Sequence, residues 1–78
     1  MIDNNEYDLG LQPIAGLMAK HGLKPHDLVR NSTQQLTHKM VGRAVRGRRL
    51  TQNIQLKIMN AMNKAAGKEY ELSELFNY

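Results

Sequence analysis

A chain of 78 residues makes one small domain, and with no cysteine it can draw on neither a disulfide framework nor a thiolate zinc site to supplement its core. Its +4 net charge is segregated: nine of the eleven Lys and Arg fall between Leu28 and Lys68, while all seven acids lie outside that stretch. The opening Met1-Ile2-Asp3-Asn4-Asn5-Glu6 has acids where a signal peptide carries cations, and no run approaches the ~20 apolar residues of a membrane span, so a cytoplasmic protein is expected.

Residues 1–9 are acidic and polar with no sustained period, and read as a mobile arm or a strand that docks elsewhere, preceding a domain over 10–78. After Gly10, Leu11, Ile14, Leu17 and Met18 follow the spacing of an amphipathic helix, with Pro13 suited to its first turn and Gly22 to a left-handed end. Pro25 opens a short second helix, Asp27 complements its positive end, and Leu28 with Val29 supplies its inner face. The polar side chains of Asn31-Ser32-Thr33 compete for backbone hydrogen bonds and stop it.

A third helix is expected within Gln34 to Arg46, closed by Gly47. At about 100° per residue, Met40, Val41, Ala44 and Val45 share an arc of roughly 140°. His38, Lys39, Gly42, Arg43 and Arg46 occupy a separate arc, so one side is apolar and the other cationic. With Ser32 or Thr33 as the cap, the helix gains Gln34 and Gln35, and Gln35 joins the outer face. Thr51 caps a fourth helix through Ala66, with Ile54, Ile58, Ala61, Met62 and Ala65 on its buried stripe and Leu56 and Met59 broadening it. Tyr70, Leu72, Leu75 and Phe76 form an apolar segment too short to assign to a helical turn or a strand. The fold class expected is therefore all-α, a compact assembly of four to five helices.

A cationic helix between short partners matches helix-turn-helix architecture, because a helix about 10 to 12 Å across fits a major groove about 12 Å wide. Lys39 and Arg43 can donate to guanine O6 and N7, His38 can donate or accept according to tautomer, and Gln35 would suit adenine. Gly42 permits close approach to the duplex. Three arginines around Gly47, namely Arg46, Arg48 and Arg49, repel one another unless a polyanion is present, and so suit phosphates. Lys57 and Lys64 read as solubilising surface residues.

Three runs carry a family resemblance: His21-Gly22-Leu23, Leu28-Val29, and the segment from Leu36 to Arg49 with its Arg-Gly-basic-basic ending. Over roughly Leu11 to Ala66 the chain resembles the lambda-repressor-like helix-turn-helix proteins of the phage Cro and repressor type. That resemblance implies base contacts from Thr37, His38, Lys39 and Arg43 and backbone contacts from Arg46, Arg48 and Arg49. The chain departs from the pattern in about two extra residues between Leu28 and Leu36, in Pro25 where a phosphate-binding glutamine is common, and in Val45 where an acid is usual. The charge of Lys24 can partly substitute for that glutamine at a phosphate.

The expected function is sequence-specific binding of double-stranded DNA by a small, repressor-like transcriptional regulator. A homodimer is expected through Tyr70, Leu72, Leu75, Phe76 and Tyr78, with half-sites about 34 Å apart. The main rival is a protein-interaction module, such as an antitoxin or a phage or plasmid accessory factor, whose cationic face meets an acidic protein. RNA binding ranks below both, because residues 28–68 hold no aromatic side chain to stack on bases. Charge alone also admits a membrane-surface helix, but the cationic helix lacks the large aromatic or leucine face that would anchor it. No metal, cofactor or small-molecule ligand is implied: His21, His26 and His38 lack ligand spacing, and no phosphate loop or nucleophile motif suggests an enzyme.

Overall fold

Proline, hydroxyl caps and left-handed glycines divide the described residues, 10–78 in a computed structural model, into five helices. The acidic arm expected over residues 1–9 lies outside the described residues. Helix α1 (Pro13–Lys20) starts at its proline. It ends as the Gly22 N–H donates to Ala19 O and the Leu23 N–H to Met18 O, with Gly22 at φ 66°. Helix α2 (Pro25–Asn31) has the Lys24 N–H donating to Asp27 Oδ2 at 2.8 Å, and stops where the Ser32 hydroxyl accepts from the Gln34 N–H.

Helix α3 (His38–Arg46) is capped by Thr37, whose Oγ1 accepts from the Met40 N–H at 3.1 Å. A cap at Ser32 or Thr33 is therefore excluded, and Gln34 and Gln35 belong to the connection. Helix α4 (Gln52–Ala66) is capped by Thr51 and turned out by Gly67 at φ 68°. The apolar segment left open between turn and strand is a helical turn, α5 (Leu72–Leu75), with the Glu71 N–H donating to Glu74 Oε1. Among the described residues no helix is long and apolar enough to cross a membrane.

Helix α2 packs on α3 and α4, α1 on α3 and α5, and α4 also meets α3 and α5. Ile14, Met18, Leu28, Leu36, Val41, Ala44, Ile58, Ala61, Met62, Leu75 and Phe76 fill the common core. The methionines expected inside do face it, Met18 and Met62 fully and Met40 and Met59 at its margin.

Three expectations change. Leu11 precedes α1 and is 74% exposed, and Leu56 points away from the α4 stripe at 38% exposure, while Gln55 is buried in its place. The expected dimer surface loses two of its five members, because Leu75 and Phe76 are buried in the chain's own core at 0% and 2% exposure. The C-terminal segment completes a small core that the other helices leave open, so these side chains are not available to a second copy.

Gln12 is the polar tie of this arrangement. Buried at 2% exposure, it donates through Nε2 to Gly10 O at 3.0 Å and accepts at Oε1 from the Asn77 N–H at 2.7 Å. Its own N–H donates to Val45 O at 3.2 Å, which fixes the start of α1 against the end of α3.

Candidate nucleic-acid interface

The burial of Val41 and Ala44 against the core dictates which side of α3 faces solvent. That side carries His38, Lys39, Arg43 and Arg46, all exposed. Lys39, Arg43 and Arg46 follow the i, i+4, i+7 spacing of one helical face, so three cations run the length of the helix. Thr37 stands at the head of this row, its Oγ1 engaged as the cap. Gln35 is exposed in the connection two residues earlier, off the helix. Its expected place on the outer helical face depended on the earlier cap and is not adopted.

Gly47 turns the cationic row into a loop. Its N–H donates to Ala44 O and the Arg48 N–H to Arg43 O, and at φ 87° glycine is the residue that takes this bend without strain. The site is also closed to a side chain, since a Cβ on Gly47 would collide with the backbone of Gly10. Beyond it, Tyr78 holds the arginine loop from the far end of the chain. Its hydroxyl accepts from the Leu50 N–H at 3.1 Å and donates to Arg48 O at 3.2 Å, while the Arg49 guanidinium lies 5.9 Å from the ring centroid. Tyr78, expected at a dimer contact, thus fixes the backbone between Arg48 and Leu50. Tyr70 similarly turns inward to share a 2.8 Å hydrogen bond with His21, leaving Leu72 as the half-buried apolar residue of that end.

Among the described residues no Lys or Arg pairs with a carboxylate; the sole ion-pair contact is His26 with Asp27, at 3.3 Å. Among the described residues, the cations of α3 and its following loop therefore present a field with no ion-paired acid.

His26 is the residue that spacing did not reveal. It lacks metal-ligand spacing in the sequence, and it meets His38 edge to face, with ring centroids 6.5 Å apart. The start of α2 is thereby joined to the start of α3, and Lys24 lies exposed two residues before His26. Gly42 sits at the margin of the cationic face, half-buried, with nothing within 4 Å of where a Cβ would stand. Its backbone has an ordinary helical φ, so glycine here costs ~0.5–1 kcal/mol relative to alanine without relieving strain.

The exposed set thus comprises His26, His38, Lys39, Arg43, Arg46, Arg48 and Arg49, with Lys24 at one end, and no three His, Asp or Glu among the described residues group as metal ligands. No family model, curated protein or solved structure matches this chain.

Proposed function

We propose that the chain is a helix-turn-helix protein of the lambda-repressor-like kind that binds double-stranded DNA sequence-specifically and regulates transcription in a repressor-like manner. In this reading α3 enters the major groove, with His38, Lys39 and Arg43 reading base edges and Arg46, Arg48, Arg49 and Lys24 meeting phosphates. The observation that carries it is the row Lys39, Arg43 and Arg46 on the outer face of α3, paired with no acid among the described residues and continued by Arg48 and Arg49 in a loop that the fold holds in place. A helix about 10–12 Å across fits a major groove about 12 Å wide, and a cationic row on it carries the charge that attracts phosphates. Gln35 and Thr37 take lesser parts, the first as an adaptable contact from the connection and the second as the cap that sets the helix register.

The test is duplex binding as a function of salt. With roughly five phosphates engaged, log K falls against log salt with a slope near −4 to −5. Selection from a random duplex pool then returns a defined consensus. A flat salt response, or a pool that never converges, would assign the cationic face to an acidic protein partner instead.

A further inference from the structure

Between α1 and α3 the surface opens into a cleft of about 310 Å³. Ala15, Met18 and Ala19 line it from α1, and Gly42, Val45 and Arg46 from α3, with Leu23 of the α1–α2 turn and Pro25 of α2 completing the lining. Its size falls at the lower end of the ~300–1,000 Å³ typical of small-molecule sites. The cleft exists because the facing positions are small. Gly42 matters most, since neither its φ nor any neighbour within 4 Å requires glycine, and any longer side chain would project into this space. A helix interior that retains glycine at a cost, beside an open apolar cleft, points to an occupant for the space.

The lining defines the chemistry of that occupant. Every lining side chain except Arg46 is apolar, no carboxylate is among them, and Arg46 pairs with no acid among the described residues. A hydrocarbon body loses no hydrogen bonds on entering, and the guanidinium offers a planar fork suited to a carboxylate. We propose that the cleft binds a small amphipathic carboxylate, its body along Ala15, Ala19 and Gly42 and its head on Arg46. This site goes beyond the DNA reading and stands without it.

The test titrates octanoate, octanol and octylamine into the full chain, followed by amide resonances. Octanoate is expected to give saturable shifts at Ala15, Ala19, Gly42 and Val45, with octanol about tenfold weaker and octylamine inactive. Gly42→Leu fills the cleft and abolishes octanoate binding, with circular dichroism reporting an intact helical fold. Arg46→Gln, at an exposed position where folding is not at stake, brings octanoate down to the affinity of octanol and leaves octanol unchanged. Octanol binding as tightly as octanoate, shifts that map elsewhere, or undiminished binding by either variant would overturn the proposal.

Discussion

His26 and His38 meet edge to face with their ring planes at 81°, so that the first turn of α2 braces the first residue of α3. In the proposed DNA complex this contact lets His26 act through His38 without touching a base. On the preferred duplex His38→Ala is expected to cost ~1–3 kcal/mol and His26→Ala a smaller amount. The double variant should bind no more weakly than His38→Ala alone, because the effect of His26 passes through His38. Fluorescence anisotropy on all four proteins makes the measurement, and additive losses would show that His26 acts independently.

Arg43 and Arg48 lie on opposite sides of the Gly47 turn and should respond differently to removal. Arg43→Ala is expected to cost ~1–3 kcal/mol on the selected site and relax preference at one base pair, with little change on unrelated duplexes. Arg48→Ala should weaken all duplexes alike and reduce the magnitude of the salt slope by about one. Equal losses for both variants across specific and random DNA would contradict this division.

The two glycines flanking Arg43 and Arg46 have opposite requirements. Gly42→Ala places a methyl group in open space on a helix and should stabilise the fold by ~0.5–1 kcal/mol. Gly47→Ala forces a left-handed φ of 87° on alanine and drives its Cβ into the Gly10 backbone, so it should destabilise by more than that. Urea denaturation midpoints compare them directly, and a shift of the same sign in both would refute the assignment.

Thr37 fixes where α3 begins. Thr37→Ala removes the acceptor for the Met40 N–H and should cost ~0.5–2 kcal/mol, whereas Thr37→Ser retains the oxygen and most of the stability. Were serine as damaging as alanine, packing of the threonine methyl rather than capping would be responsible.

Gln12→Leu tests the polar tie. Leucine removes the two hydrogen bonds that the buried Gln12 amide makes, with Gly10 O and with the Asn77 N–H, so a loss of about 2 kcal/mol is expected in spite of the added apolar surface. Amide exchange at Asn77 should accelerate in parallel. An unchanged melting temperature would show that Gln12 is dispensable.

What the sequence by itself determined was local. Pro13 and Pro25 start helices, Thr51 caps one, and Gly22, Gly47 and Gly67 end them, because capping and left-handed turns are settled within four residues of chain. The apolar period of α3 likewise fixed its cationic outer side before any neighbour was known. Tertiary structure decided what depends on residues distant in sequence. Leu75 and Phe76 serve the core rather than a second copy, Tyr78 holds the arginine loop, and Gln12 is buried between two ends of the domain. His26 meets His38 only because α2 packs on α3. Such pairings have no period and no local signature; they arise when several short helices, each unable to bury its apolar face alone, share one core.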